Sequence, residues 1–432
     1  MLLSLGDKLR IIRRAKGLSL ENIAYETGRS VATLSRIERG ETDIDTETTY
    51  AIKKAMGIEH APLLEHELML YKNRMWVWND IINAQRFSEA KTMIPEMSSI
   101  IHLPFESELA LLYTLIEMRI DIYEPENKLK AKHKLDALAA SYDDMSINAR
   151  HFFHRNTGMV YSHWNNTKAL QHCLLALETL SDETKTSTPI LLLNIGAKYY
   201  ALGRIFHAMT YLERAKYEHQ EDRTNIIGAY IDSMLIACYI SIGEYDKAKS
   251  LAELVLSRAK AINDRQGVAL ALNHMGHVYK GMKDFETALP FFEESQILYG
   301  GKQDVFIVEL LNSIEGKAYC LLGLKRFTEL KDVIKKGQSL AKNIPSAQHT
   351  FESLQHLLTL NNAESTNHIE NITIPFLLGN SNYQAALRFC DRLEAYYIKK
   401  GAVKKANAIA IKSREIYKML LAPVVLENDN KN

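Results

Sequence analysis

Residues 269–299 read ALALNHMGHVYKGMKDFETALPFFEESQILY, which is a pair of helix-like segments joined by a short turn. The first segment carries a small residue, Gly276, and an aromatic residue, Tyr279, three positions later. Phe285 follows the turn, and Ala288 is placed to seat the second helix against the first. A helix pair of this kind cannot bury its apolar face alone, so the pattern predicts that it stacks on neighbouring pairs.

The same pattern recurs along the chain with a period of about 40 residues. It resembles tetratricopeptide repeats, whose usual length is about 34 residues, so longer helices are expected here. The resemblance covers most of residues 65–420 and implies a right-handed superhelix with a concave groove for an extended peptide or a protein helix. Residues 361–371 are polar and break the rhythm, which predicts a loop. The seating positions, which are almost evenly spaced along the chain, are Ala169, Ala208, Ala248, Ala288 and Leu330.

The composition of the 432 residues excludes several classes of protein. Hydrophobic residues make up 47% and charged residues 24%, which is ample for a folded core and argues against disorder. Only nine prolines and no convincing alternating strand pattern predict an all-α protein. The net charge of +1 means that any nucleic-acid surface must be local. The cysteines stand apart in apolar segments, which predicts reduced, buried thiols at Cys173, Cys238, Cys320 and Cys390.

Residues 1–60 carry a second pattern, of short helices separated by glycines. The glycines at 17, 28, 40 and 57 end four predicted helices, and Ser19, Ser30 and Thr46 cap the last three. Two short helices joined by a tight glycine-containing turn form a helix-turn-helix. Residues 1–40 hold eight basic and four acidic residues, a local charge of +4. Basic charge is therefore concentrated where a phosphate-facing surface would lie.

This segment resembles the lambda/434-repressor-like (XRE) DNA-binding domain over about residues 4–58, and its most specific match is the run LSRIERG at residues 34–40. The resemblance implies that residues 30–39 form a recognition helix in the major groove, with Arg36 as the reader of a guanine edge. It also implies a buried structural pair of Arg13 with Glu38. The residues matched to base or phosphate contacts are Ser30, Val31, Ala32, Thr33, Arg36, Arg39 and Leu20.

Acidic residues follow the predicted recognition helix, where this family often has basic ones. Glu41, Asp43 and Asp45 argue against phosphate contacts from that loop, because they would repel the DNA backbone. We therefore expect modest affinity for each monomer and binding by two copies. The alternative that the residues leave open is an ordinary helical subdomain without DNA contact.

Polar residues on the first helix of each pair are the candidates for lining the groove. An asparagine amide both donates and accepts hydrogen bonds, so it can pair with a ligand's backbone without reading its side chains. Neighbouring lysine or histidine suits an acidic group or a terminal carboxylate. A solvated polar residue remains the alternative for each asparagine. The predicted peptide-binding residues are Asn156, Asn194, Lys198, Asn273, His277, Lys280 and Asn312.

A helix-turn-helix followed by long repeats resembles the RRNPP quorum-sensing regulators, and the NprR- and PlcR-like members are nearest in layout. The resemblance implies a cytoplasmic transcription factor that binds double-stranded operator DNA and a short imported signalling peptide. It also implies a homodimer or a higher homo-oligomer, and groove asparagines that hold the peptide backbone. The open alternative is an adaptor that sequesters a response-regulator-type or other protein partner, possibly as a second function.

The predicted organisation has four parts. A helix-turn-helix domain occupies residues 1–60, a linker helix 61–74, the repeat domain 75–420 and a polar tail 421–432. No apolar run approaches the ~20 residues of a membrane span, and the charged N-terminus is unlike a signal peptide. We therefore expect no membrane contact and a soluble cytoplasmic protein.

Motifs for catalysis and metal binding are missing from the sequence. HExxH, GxSxG and Walker-A patterns are absent, so we predict neither an enzyme nor a cofactor. His151 and His154 have HxxH spacing, but no acidic or cysteine ligand nearby completes a site. The sequence therefore predicts no metal.

Overall fold

The computed structural model describes residues 5–58, 65–98, 107–124, 127–162, 165–219, 226–300, 307–342, 344–360, 362–379 and 382–421. Across these ranges the chain is helical and free of strands, which confirms the all-α prediction. None of the helices in them is long and apolar enough to cross a membrane. Apart from Leu421, the predicted tail lies outside the described residues.

The chain divides into two units, Met1–Asn156 with Thr179–Thr184, and Thr157–Glu178 with Lys185–Asn432. Helix α10 belongs to both, since the division falls within it. The helices that begin in the first unit are α1 (Leu5–Ala15), α2 (Leu20–Thr27), α3 (Val31–Glu38), α4 (Thr46–Ala55), α5 (Glu65–Asn83), α6 (Phe87–Thr92), α7 (Ile94–Ser98), α8 (Ser107–Tyr123), α9 (Lys128–Leu138), a 3-10 turn (Ala139–Asp144) and α10 (Ile147–Tyr161).

Helices α1 to α4 form the predicted helix-turn-helix around a small apolar core. Gly6 lies against the end of α3, where an added Cβ would stand 1.9 Å from the carbonyl oxygen of Ile37, so no larger residue fits. The predicted cap of α4 is wrong by one residue: Asp45, not Thr46, accepts from the backbone of Thr48 at 2.6 Å. A carboxylate suits a helix N-terminus better than a hydroxyl does. The core residues are Leu9, Ile12, Ile23, Leu34, Ile37, Ile52 and Met56.

Helix α5 runs without a break through the predicted boundary between linker and repeats at residues 74 and 75. Trp78 of this helix is fully buried, and its indole nitrogen donates to the carbonyl of Ala90 at 2.9 Å. Because its buried indole N–H has a hydrogen-bond partner, Trp78 has a structural role in the packing of this unit. The domain boundaries themselves stay predictions.

The second unit is a series of helix pairs. Its further helices are α11 (Asn166–Glu178), a 3-10 turn (Lys185–Ser187), α12 (Thr188–Ala201), α13 (Ile205–Glu218), α14 (Ile226–Ser241), α15 (Tyr245–Ala261), α16 (Arg265–Gly281), α17 (Phe285–Tyr299), α18 (Ile307–Gly323), α19 (Phe327–Leu340), α20 (Pro345–Leu358), α21 (Ala363–His368), a π-helical turn (Ile369–Thr373), α22 (Ile374–Gly379), α23 (Tyr383–Lys399) and α24 (Val403–Leu421).

The turns inside these pairs repeat with the predicted period. A residue of positive φ stands at Gly203, Gly243, Lys283 and Lys325, with φ of 72°, 81°, 63° and 60°. Their spacing matches that of the last four seating positions, each of which is buried and follows five positions later. Lysine tolerates the left-handed conformation less readily than glycine, so the packed helices on either side must hold these turns. The repeat array is confirmed, while its right-handed superhelix stays a prediction.

Phe292 shows why small residues recur on the first helix of each pair. A Cβ on Gly276 of α16 would stand 2.8 Å from this ring, and a Cβ on Gly316 of α18 would stand 2.4 Å from it. The fully buried ring therefore fills a space among α16, α17 and α18 that larger residues at the two glycines would close. The spacing of small and aromatic residues in the sequence therefore follows from this close contact between helices.

The loop predicted at residues 361–371 is wrong, because nearly all of this segment is helical. The side chain of Asn362 accepts from the backbone of Ser365 at 2.8 Å and begins α21. Ile369 and Ile374 are fully buried against the last helices, so a few apolar residues fix a helix that is otherwise polar.

Candidate functional site

The turn between α2 and α3 is held by side-chain caps at both helix starts. Ser19 Oγ accepts from the backbone of Asn22 at 3.1 Å, and Asn22 Oδ1 accepts from the backbone of Ser19 at 2.9 Å. Asparagine therefore completes a capping box, a motif that usually has glutamate or glutamine at this position. Gly28 ends α2 at φ 65°, and Ser30 Oγ accepts from the backbone of Thr33 at 3.1 Å. These contacts set the start of α3 shortly after the end of α2.

Arg13 and Glu38 tie α1 to the end of α3, as the resemblance implies. Arg13 Nε donates to Glu38 Oε1 at 2.6 Å, and Arg13 Nη2 donates to Oε2 at 2.8 Å. A third bond runs from Arg13 Nη1 to the carbonyl of Leu18 at 2.9 Å. The hydrogen bond from the Glu38 carboxylate raises the pKa of Arg13. This buried bidentate pair holds α3 in place from the side opposite the solvent.

The solvent side of α3 carries the residues predicted to read DNA. Ser30, Val31, Ala32 and Arg36 are exposed, and Thr33 is half-buried in the first turn. Arg36 has no side-chain hydrogen bond to the described part of the chain, so its guanidinium is available to a base edge. Leu20, at the start of α2, is half-buried and packs against the apolar core, which leaves its backbone amide as the group that suits a phosphate.

Arg39 differs from Arg36 because neighbouring side chains already bind it. Its Nε and Nη2 donate to the two carboxylate oxygens of Glu41 at 2.8 and 3.0 Å, and Nη1 donates to Ser35 Oγ at 3.1 Å. The bond with Arg39 lowers the pKa of Glu41, which keeps the carboxylate charged. A DNA phosphate must therefore compete with Glu41 for Arg39, and the sequence did not show this competition.

Replacing Glu41 by glutamine is expected to strengthen DNA binding about 2- to 10-fold and to steepen its salt dependence by roughly one ion, because Arg39 becomes free for a phosphate. Fluorescence anisotropy on a duplex selected from a random library, at several salt concentrations, measures both quantities. Glu26→Gln is the matched control, since it removes an exposed acid from α2. An equal gain in the control, or no gain in Glu41→Gln, contradicts the prediction.

Three of the predicted peptide-binding residues share one helix face in the second unit. Asn273, His277 and Lys280 are four and three positions apart on α16, which places them side by side. Asn273 is buried, and its Oδ1 has no hydrogen-bond partner within the described residues. Burying an acceptor without a partner costs about 1–3 kcal/mol, which a backbone N–H from a ligand would relieve.

Charged residues on this face are half-buried but closely surrounded by protein. Burial lowers the pKa of Lys280 and of His277, and it lowers the pKa of His274 to about 4. Burial also raises the pKa of Glu315 on α18, against the attraction of Lys280. These side chains therefore border solvent while neighbouring parts of the protein surround them closely.

Three further residues of this surface were not predicted from the sequence. Glu315 and Tyr319 stand one turn apart on α18, and Lys280 Nζ lies 5.6 Å from the centre of the Tyr319 ring. Arg388 of α23 is exposed and within electrostatic range of Lys280 and Glu315. The spacing of Glu315 and Tyr319 was a usable signal, but nothing local to α23 indicates that it faces α16 and α18. We call these residues, with Asn273, His277 and Lys280, the polar groove, after the groove that the repeat pattern predicts.

The other predicted peptide-binding residues lie elsewhere. Asn194 and Lys198 are half-buried on one face of α12, and burial lowers the pKa of Lys198. Asn312 is exposed on α18. Asn156 is fully buried in the first unit, and its Nδ2 donates to the carbonyl of Leu115 at 2.7 Å. The Oδ1 of Asn156 has no hydrogen-bond partner among the described residues, so Asn156 stays a candidate for peptide binding.

The N-terminal residues match a known domain family. Residues 4–58 match the family described as a helix-turn-helix domain. No curated protein matches the chain by sequence.

Several solved structures share the fold of the chain. A Rap protein complexed with competence and sporulation factor aligns at 14% identity and a TM-score of 0.69, covering 83% of this chain and 99% of that one. The apo quorum sensor NprR from B. thuringiensis aligns at 18% identity and 0.58, covering 83% and 98%. NprR with its cognate peptide NprX aligns at 17% identity and 0.63, covering 81% and 98%. An N-terminal helix-turn-helix followed by this helical array is the predicted RRNPP layout.

Proposed function

We propose that this chain is a cytoplasmic, DNA-binding transcriptional regulator controlled by a short signalling peptide, as in quorum sensing. The observation that carries the proposal is the presence in one chain of a helix-turn-helix whose helix α3 exposes Arg36, and of a polar surface on α16 whose buried acceptor, Asn273 Oδ1, has no partner among the described residues. The likeness in fold to a quorum sensor solved with its peptide supports it. The helix-turn-helix would end near residue 60, with a linker at 61–74 before the repeats.

The two sites have separate roles in this proposal. DNA contacts come from the exposed residues of α3, with Arg36 as the base reader. The peptide contacts come from the polar groove and from Asn194 and Lys198, with Asn312 at the exposed edge, and Asn156 of the first unit stays a separate candidate. Two copies read two half-sites whose spacing depends on how the repeat regions pair. Peptide binding then favours a DNA-competent or DNA-incompetent state.

Two experiments test the proposal directly. Selection from a random duplex library shows whether the purified chain recognises a defined sequence. For the peptide, the chain is incubated with a low-molecular-weight cell extract, washed and denatured, and the released peptides are identified by mass spectrometry. Recovery of a peptide whose synthetic copy changes binding to the selected duplex supports the proposal. A chain that selects no duplex and retains no peptide contradicts it.

Replacing Asn194 or Asn273 by alanine is expected to weaken binding of that synthetic peptide about 3- to 30-fold. The reason is that each variant loses one or two hydrogen bonds between the asparagine side chain and the backbone of the peptide. Isothermal titration calorimetry measures the affinity, and circular dichroism checks that the fold survives. Asn407→Ala is the control, since it removes an exposed asparagine from α24. Wild-type affinity in both groove variants would reject this assignment.

A protein-sequestering adaptor is the second candidate function. The likeness to a Rap protein, which covers 99% of that chain, favours it for the repeat region. The polar groove would then hold a segment of a response-regulator-type partner. Sequence-specific duplex binding that Arg36→Ala removes supports the regulator. Failure to select any duplex, together with a defined protein complex of fixed stoichiometry, supports the adaptor.

A further inference from the structure

Helices α20 and α21 bring together side chains that no other part of the proposed function uses. His349 and Glu352 stand one turn apart on α20, and His368 ends α21. One ligand atom from each of the three residues lies within 4.8 Å of the other two. His349 Nδ1 is 4.0 Å from Glu352 Oε2. Two imidazoles and a carboxylate form a donor set that suits a transition metal.

The two histidines of this cluster have nitrogens that lack partners. His349 Nδ1 and His368 Nε2 are both buried, and neither makes a hydrogen bond to any described residue. A buried polar atom of this kind is uncommon in folded proteins and calls for a partner.

Neighbouring side chains orient the three groups. The ring of His356 stacks on His368 with centroids 3.9 Å apart, and the ring centroids of His349 and Phe376 are 4.0 Å apart. Gln348 Nε2 donates to Glu352 Oε1 at 3.0 Å, which leaves Oε2 towards His349. Contacts of this kind fix the rotamers of ligands in known metal sites.

We propose that His349, Glu352 and His368 form a zinc-type metal site that joins α20 to α21. Zinc bonds of about 2.0–2.2 Å place tetrahedral ligand atoms about 3.3 Å apart. The ligand atoms of the three residues now lie within 4.8 Å of one another, so these distances must shorten by roughly 1 Å or more when zinc binds. Small side-chain rotations supply that movement. Water, or His356 after a ring rotation, completes the tetrahedron. The ion would fasten α20 to the last residue of α21, directly before the π-helical turn.

The test uses the full chain without an affinity tag, after dialysis against a chelator. Calorimetric titration with ZnCl₂ is expected to show a single ion per chain, and CoCl₂ to give the visible absorption of tetrahedral cobalt. Glu352→Gln and His368→Ala are each expected to weaken zinc binding about 10- to 100-fold or more. His133→Ala, which removes a histidine on α9 far along the chain from the cluster, is the control and should bind like the wild type.

Thermal melting followed by circular dichroism distinguishes loss of the site from loss of the fold. Zinc should raise the melting temperature of the wild type and of His133→Ala, but not that of Glu352→Gln, which keeps the shape of the residue it replaces. Zinc binding that is absent from the wild type, or equal in the wild type and both site variants, overturns the proposal. Neither result bears on DNA or peptide binding, because these sites use other residues.

Discussion

Replacing Glu38 by alanine is expected to unfold the N-terminal domain, with a loss of about 3–5 kcal/mol in its free energy of unfolding. The substitution leaves the guanidinium of Arg13 buried without its carboxylate, and the remaining bond to Leu18 does not compensate a charge. A domain of this size has a total stability of only about 3–5 kcal/mol, so the loss is nearly complete. Specific DNA binding should disappear with it.

Hydrogen-exchange mass spectrometry of the full chain measures this effect region by region. Amides of α1 to α4 should lose protection in Glu38→Ala, while those of α16 to α19 should keep it. Glu26→Ala, which removes an exposed acid of the same domain, should behave like the wild type. The double variant Arg13→Met with Glu38→Leu should recover much of the protection, because apolar residues can replace a buried pair. Full protection in Glu38→Ala contradicts the role of this pair.

Replacing Arg36 by alanine is expected to cost about 1–3 kcal/mol of specific DNA binding, which is roughly a 5- to 150-fold loss of affinity. The guanidinium of Arg36 is the group on α3 best suited to a bidentate contact with a guanine. The fold should be unaffected, since Arg36 makes no side-chain hydrogen bond to the described residues. Affinity for a scrambled duplex should fall much less, because non-specific binding depends on total charge.

Footprinting and anisotropy on the selected duplex measure the loss. Arg14→Ala removes an exposed arginine from α1 and serves as the charge-matched control. It should lower affinity for the selected and scrambled duplexes by similar small factors. Protection of the selected site by Arg36→Ala at wild-type concentrations would remove Arg36 from the reading surface.

Local features of the N-terminal domain could be predicted well because each depends on a few adjacent residues. Ser19 and Ser30 cap the expected helices, and Gly28 ends the expected one. The predicted cap of α4 was wrong by only one residue, because Asp45 and Thr46 are adjacent and both are favourable N-cap residues. Arg39 was harder to assign, because its availability depends on which way the Glu41 side chain points.

The polar groove and the proposed metal site could be predicted only in part from the sequence. Asn273, His277 and Lys280 follow from the helical period, so their shared face was predictable. Arg388 belongs to a helix much later in the chain, and no local pattern indicates what it faces. His349 and His368 are separated by a turn and a polar segment that the sequence suggested was a loop.

The amino-acid sequence alone determined the helical class, the helix-turn-helix and the regular repeat, because side-chain periodicity and capping act within one or two turns. The tertiary structure decided which charged groups meet across different helices, which asparagines are buried and which arginine is already paired. Those outcomes depend on how distant helices pack. Packing is set by shape and burial over the whole array, which adjacent residues do not encode.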